Sequence, residues 1–288
     1  MNETGKICAK VALISLGCDK NLVDSEIMLG LLNRASFETV DDKEEADVII
    51  VNTCGFIAEA NTEASNEVNE ACALKRAGTV RAVVVTGCMV QRYKRKFFEE
   101  FPDVNAILGT GDIDKVVETV TAALKETGQI QQTEHQNADF AEALHLGRAV
   151  STEKHTAFLK IAEGCDNFCA YCTIPFIRGH YRSRKMESLL REAEMLAENG
   201  AKELTLIAQD TSLYGKDLYG APQLHVLLNR LSQIKQLCWL RVLYCYPEHI
   251  TDELINEIAS NPKVCHYIDM PIQHASDSVL KAMGRKSD

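Results

Sequence analysis

Short runs of aliphatic and β-branched residues alternate with helical stripes along most of this chain. That alternation restricts it to parallel sheets whose strands are joined by helices. Lys10–Leu16 (KVALISL), Asp47–Asn52 (DVIIVN), Val80–Thr86 (VRAVVVT) and Asn105–Leu108 read as strands. Asn21–Arg34, Glu59–Arg76, Gln91–Glu100 and Asp112–Lys125 carry the apolar spacing of helices. The expectation is an α/β fold: an open parallel α/β sheet domain over residues 8–125, with its ligands beyond the carboxyl ends of the strands.

Residues 126–156 are polar, rich in Gln and His and weakly periodic, and read as an interdomain linker with room for some local structure. From residue 157 the alternation resumes and defines a second domain, 157–288. Strands are expected at Phe158–Ala162, Leu204–Ala208, Trp239–Leu243 and Tyr267–Asp269. Helices are expected at Met186–Asn199, closed by Gly200, at Gln223–Ile234, at Thr251–Ala259 with Thr251 as N-cap, and at Ser276–Met283. Four strand–helix units fall short of the roughly six to eight of a partial or closed βα barrel. The expected architecture is therefore a partial barrel that stops midway, the alternative being a small open sheet complete at four units.

Hydrophobic residues make up 46% and charged residues 25%, which supplies enough apolar material for two packed cores. The net charge of −10 makes a general nucleic-acid binder a poor reading, because phosphate contacts need clustered Lys and Arg. The densest basic run holds Arg178, His180, Arg182, Arg184, Lys185 and Arg191, read either as a solvated loop and helix start or as an anion site near an active centre. The first ten residues lack the apolar region of a secretory signal, and runs such as VALISL and VIIV are strand-sized. A soluble, cytoplasmic protein without membrane contact is expected. There an odd count of 11 cysteines points to metal binding or catalysis before disulfides.

The cysteine spacing carries the chemistry. Cys165-Asp-Asn-Phe-Cys169-Ala-Tyr-Cys172 follows the first strand of the second domain. Three thiolates on one loop suit three corners of a 4Fe–4S cluster, and three ligands leave one iron open to a visitor. Zinc and free thiols are the alternatives, although structural zinc usually takes four ligands in two spaced pairs. Cys18, Cys54 and Cys88 each lie one or two residues beyond an expected strand, so a parallel sheet brings them to one edge as a second open-corner site. The alternative is three buried, inert thiols. Cys8, Cys72, Cys238, Cys245 and Cys265 lack triad spacing and read as incidental.

The C-x3-C-x2-C loop resembles the cluster motif of the radical S-adenosylmethionine (SAM) superfamily. The wider pattern resembles its methylthiotransferases: SLGCDKNLVDSE (15–26), NTCGFI (52–57), TGCMVQRY (86–93), LKIAEGCDNFCAYCTIPFIRG (159–179), RSR (182–184), LIAQDTSLYGKDLYG (206–220), LYCYPEHITDELI (243–255) and DMPIQHASDSVLKAM (269–283). The resemblance implies a radical SAM cluster on Cys165, Cys169 and Cys172 and an auxiliary cluster on Cys18, Cys54 and Cys88. It also implies two uses of SAM. One donates a methyl group to sulfur on the auxiliary cluster, and the other makes the radical that activates a substrate C–H bond. Asp19 and Lys20, with Gln209, Asp210 and YGKDLYG, resemble the branch that modifies the β-carbon of an aspartate in the decoding-centre protein of the small ribosomal subunit. The alternatives are isopentenyl-adenosine in transfer RNA, a less favoured partner, and a non-catalytic iron–sulfur module. An electron donor such as a flavodoxin or ferredoxin is implied as a partner, and the family's C-terminal β-barrel is expected to be absent.

By position, the SAM contacts implied are Tyr171 before the last cysteine, Arg184, Gln209, Asp210 and Arg241. Each has a structural alternative: core packing for Tyr171, helix capping for Arg184, an N-cap role for Asp210. Ala208-Gln209-Asp210 stands where the superfamily has Gly-Gly-Glu, which leaves the amine contact open. Gln273 and His274, after the fourth expected strand, are weaker candidates to face the cavity.

Overall fold

The structure is a computed structural model that describes residues 9–125, 128–133 and 147–286. Two compact units emerge: residues 1–149 together with Phe176–Arg178, and residues 150–175 with 179–288.

The first unit is built on a six-stranded sheet in which every pair is parallel. Its strands are β1 (Lys10–Ser15), β2 (Glu38–Thr39), β3 (Val48–Thr53), β4 (Ala82–Gly87), β5 (Ala106–Leu108) and β6 (Ile130–Gln132), in the order β2-β1-β3-β4-β5-β6. The helices are α1 (Asp19–Arg34), α2 (Ala58–Arg76), α3 (Cys88–Tyr93), α4 (Phe97–Glu100) and α5 (Val116–Lys125). Alternation along β3 explains the layering. Val48 and Ile50 pack with Met28, Leu32, Val116 and Val120 of α1 and α5. Ile49 and Val51 face Ala64, Val68, Met89 and Phe97 on the opposite side. A strand buried on both faces is apolar at consecutive positions, which is why β3 and β4 were so legible.

The sequence reading differs from this unit in three places. The exposed two-residue β2 was not anticipated. Ile130–Gln132, inside the segment read as linker, adds β6 to the edge of the sheet; residues 126–127 and 134–146 of that segment lie outside the described residues. The single helix expected over Gln91–Glu100 breaks into α3, a short 3-10 turn and α4, because Lys94 takes a left-handed φ of 49°.

The second unit holds a three-stranded parallel sheet, β11-β10-β7, from β7 (Thr156–Lys160), β10 (Glu203–Ile207) and β11 (Trp239–Val242). One face of it, including Ala157, Leu159, Leu204, Leu206, Leu240 and Val242, packs on helices at Met186–Glu198, Leu224–Ser232 and Asp252–Ser260. Thr251 caps the last of these, its hydroxyl accepting from the Leu254 N–H at 3.3 Å, and Gly200 ends the first with φ 115°. The other face carries the polar residues Lys160, Glu203, Thr205 and Arg241 together with Phe158, Ile207 and Trp239. A short antiparallel pair, β8 (Ala162–Glu163) with β9 (Arg182–Ser183), follows β7.

The fourth strand expected at Tyr267–Asp269 does not form. Only a bridge from Leu240 to Val264 extends the sheet. Beyond it the backbone turns on itself: Tyr267 N–H donates to the Cys265 carbonyl and Ile272 N–H to that of Met270, the two-residue spacing of γ-turns. Those bonds consume the donors a strand would have offered its neighbour.

Candidate iron–sulfur sites

In the first unit, sheet register sets the site. Ser15, Asn52 and Thr86 lie side by side in β1, β3 and β4, and the chain leaves all three strands at that edge. Cys54 and Cys88 follow directly after the ends of β3 and β4; Cys18 lies three residues past β1, one more than the spacing suggested, as the N-cap residue of α1. Because β2 sits outside β1, the boundary between β1 and β3 is the point where strand order reverses, the place an open α/β sheet holds its ligand.

The loops approach closely. Gly17 has φ 95°, and a β-carbon there would stand 2.8 Å from Cys54 Cβ and 3.4 Å from its Sγ. A β-carbon on Gly55 would stand 2.9 Å from the Cys88 carbonyl carbon. Asn21, buried, stitches the loops together. Its Nδ2 donates to the carbonyls of Leu16 at 3.1 Å and Thr53 at 3.0 Å, and the Cys88 thiol lies 3.8 Å from its Oδ1. Burial pushes the Cys88 thiol up, the Arg178 guanidinium pulls it down, and the Cys18 and Cys54 sulfurs push it up again. The three sulfurs therefore share one electrostatic neighbourhood.

In the second unit, the chain leaves β7 through the β8 strand and enters the cysteine loop. Gly164, φ 80°, permits this turn, since a β-carbon there would meet the His180 carbonyl oxygen at 2.0 Å. Cys165 N–H donates to the Gly179 carbonyl, Cys172 N–H to that of Cys169, and Phe168 adopts φ 46°. The Cys172 sulfur accepts from the Ile174 N–H at 3.5 Å. Burial pushes the Cys165 thiol up to about 11, and the neighbouring Cys172 and Cys169 add to that rise. Among the described residues, no three His, Cys, Asp or Glu side chains stand close enough to hold a single metal ion. A four-iron cube is wider than one ion and draws its thiolates from farther apart.

The other candidates fall into separate settings. Gln209, two residues past β10, donates from Nε2 to Glu163 at 2.6 Å, and Glu163 in turn pairs with Lys160 at 2.9 Å. Gln209 Oε1 is buried without a hydrogen-bond partner among the described residues. Asp210 is fully buried and accepts from His249 Nδ1 at 2.7 Å, Ser212 Oγ at 2.5 Å and Asn167 Nδ2 at 3.3 Å; it is no helix N-cap. Arg184 turns inward, binding Glu192 at 2.5 Å and the Lys160 carbonyl at 3.0 Å, with its other nitrogen on Ser188 near the helix start. Arg241 lies on the sheet face away from the helices, paired with Glu203 at 2.6 Å and 5.7 Å from the Tyr267 ring. Tyr171 is half-exposed beside the cysteine loop rather than packed in a core. Gln273 and His274 are exposed, with His274 Nδ1 accepting from the Ser276 N–H.

Sequence reasoning missed Asn21, Glu163, Asn167 and His249, whose positions become meaningful only through contacts distant in sequence. Of the remaining cysteines, Cys72 and Cys245 are buried, Cys265 half-buried and Cys238 exposed, while Cys8 lies outside the described residues. No described helix is long and apolar enough to cross a membrane.

The profile of the Radical SAM superfamily matches residues 159–288, and that of "Uncharacterized protein family UPF0004" matches residues 10–109. Among solved structures, the radical SAM methyltransferase TsrM from Kitasatospora setae superposes with a TM-score of 0.64 over 94% of this chain and 60% of its own, at 15% identity. The cobalamin-dependent SAM radical enzyme OxsB gives 0.60 over 97% of this chain and 46% of its own, at 12% identity; both likenesses concern fold. A parallel α/β unit followed by βα repeats with three cysteines beyond the first strand is the organisation of a radical SAM protein. The ribosomal protein uS12 methylthiotransferase RimO of Lachnoclostridium phytofermentans is 49% identical over 97% of this chain and 63% of its own length. That of Clostridium botulinum is 50% identical over 96% and 62%. Along nearly its whole length the chain is similar to the RimO-type methylthiotransferases, and it spans just under two-thirds of the length of these curated relatives.

Proposed function

We propose that this chain carries the two iron–sulfur centres of an enzyme that transfers a methylthio group to the β-carbon of an aspartate in ribosomal protein uS12. The carrying observation is the pairing of two separate cysteine triads with sequence likeness that runs through both. Cys165, Cys169 and Cys172 hold one 4Fe–4S cluster and Cys18, Cys54 and Cys88 the other. When bound, the first supplies reductive cleavage of SAM and the second supplies sulfur. The chain's own residues do the rest. The buried Gln209 Oε1 would accept from the SAM amino group, with Glu163 holding the amide in place. Tyr171, half-exposed beside the loop, offers its ring to the adenine. Asp210, locked by His249, Ser212 and Asn167, fixes the loop that bears Cys165. Arg241, on the face of the sheet away from the helices, supplies a cation for the SAM carboxylate. Arg184, sealed against Glu192, acts through the β7 backbone. A flavodoxin or ferredoxin delivers the electrons.

Anaerobic reconstitution followed by iron and sulfide analysis tests the cofactor count. About eight irons per chain are expected, falling to about four when either triad is changed to alanine. A ceiling of about four irons in the unmodified chain overturns the two-cluster reading. Mass spectrometry of uS12 and of transfer RNA after incubation with SAM and reductant tests the substrate; a methylthio gain on transfer RNA alone refutes the choice of uS12.

A further inference from the structure

Arg178 belongs by its contacts to the first compact unit, although it follows Cys172 by only six residues. It is 2% exposed, so a permanent positive charge is kept almost wholly out of water. Its Nη1 stands 3.3 Å from Asp24 Oδ2, itself 5% exposed, and its Nη2 donates to Asn21 Oδ1 at 2.5 Å. The same Asn21 oxygen lies 3.8 Å from Cys88 Sγ, and the guanidinium charge pulls the Cys88 thiol down. Burying a guanidinium costs several kcal/mol unless negative charge stands beside it. Three thiolates gathered on an iron–sulfur cube supply further negative charge at this spot: one net negative charge in the oxidised state and two in the reduced.

We propose that Arg178 is a positioning residue of the Cys18/Cys54/Cys88 centre, donating to Cys88 Sγ and balancing the charge of the cluster held there, so that the reduced state is stabilised. This rests on the two-cluster reading above. Hydrogen bonds to cluster sulfurs and nearby charge are the protein's main means of setting a cluster's potential. A buried cation next to one ligand raises the potential, and its removal lowers it. Asp24 opposes that effect, because its carboxylate cancels part of the guanidinium charge.

The test uses the full chain with Cys165, Cys169 and Cys172 changed to alanine, so that only the first triad takes up iron. Iron content and the midpoint potential, followed by electron paramagnetic resonance, are compared for that parent and for added Arg178→Gln, Arg178→Lys and Asp24→Asn. Arg178→Gln is expected to move the potential to more negative values and speed iron loss to a chelator. Arg178→Lys is expected to keep most of the potential, and Asp24→Asn to shift it the opposite way. A full complement of iron at an unchanged potential in Arg178→Gln overturns the proposal. If that variant does not fold, as read by circular dichroism, Asp24→Asn decides, and no shift there overturns it equally. Absence of iron from the parent sinks the two-cluster reading itself, which separates that failure from this one.

Discussion

Asn52 donates from Nδ2 to the backbone carbonyl of Asn21 at 2.9 Å, tying the helix that begins after Cys18 to the strand that ends before Cys54. The same amide reaches Ser25 Oγ at 2.9 Å, and Ser25 in turn reaches Ser15 Oγ at 2.8 Å. One buried side chain thus holds two of the three cysteine loops in register.

Asn52→Ala removes both buried bonds. A hydrogen bond of this kind contributes about 0.5–1.5 kcal/mol. Thermal unfolding of the metal-free chain is expected to shift to lower temperature. Iron uptake by the first triad is expected to fall while the Cys165, Cys169 and Cys172 site keeps its share. Equal loss from both sites would show that Asn52 acts on the whole chain rather than on one edge of a sheet.

Arg184 and Glu192 form an ion pair with both side chains fully buried. Glu192→Ala strands a guanidinium in the core of the second unit, and losses of about 3–5 kcal/mol are typical of that change. Denaturant unfolding should show it. The double change Arg184→Met with Glu192→Ala is expected to recover much of the loss, because no uncompensated charge remains. A double variant as unstable as the single one would mean that shape, not charge, makes the pair matter.

Burial pushes the Cys245 thiol up from 9.0 to about 11; the Thr211 hydroxyl at 3.3 Å pulls the other way, and Asp210 and Asp269 add to the rise. Between those values the folded chain keeps a proton that the unfolded chain has lost. The contribution is therefore complete below pH 9 and disappears as pH climbs through the folded value, a loss of about 3 kcal/mol. Alkylation of the metal-free chain, read at Cys245 by mass spectrometry, is expected to accelerate only toward pH 11. Stability curves of Cys245→Ala should lack that share of the alkaline decline; an ordinary thiol midpoint near 9 would contradict the assignment.

What was legible in the sequence follows from burial. β3 and β4 are sealed on both faces, so their apolar runs announced them, and Thr251 announced its helix through the cap it makes. β2, β8 and β9 are two residues each, too short for any period to show. The expected strand at Tyr267–Asp269 has the right residues, but its backbone donors are spent in γ-turns. Arg178 and Arg184 belong to one basic run that reads either as a solvated loop and helix start or as an anion site; both are buried, while His180, Lys185 and Arg191 are exposed.

The sequence alone determined where the cysteines stand, because a parallel sheet sends every strand's exit to one edge and a three-cysteine loop needs no distant partner. Only tertiary structure decided what surrounds them. Register set Ser15, Asn52 and Thr86 in one row, and folding brought Asn21 and Arg178 to Cys88 and Gln209 to Glu163. Such contacts join residues tens to more than a hundred positions apart, and local pattern carries no record of them, since hydrophobic period reports which face is buried and not which polar group waits on the far side.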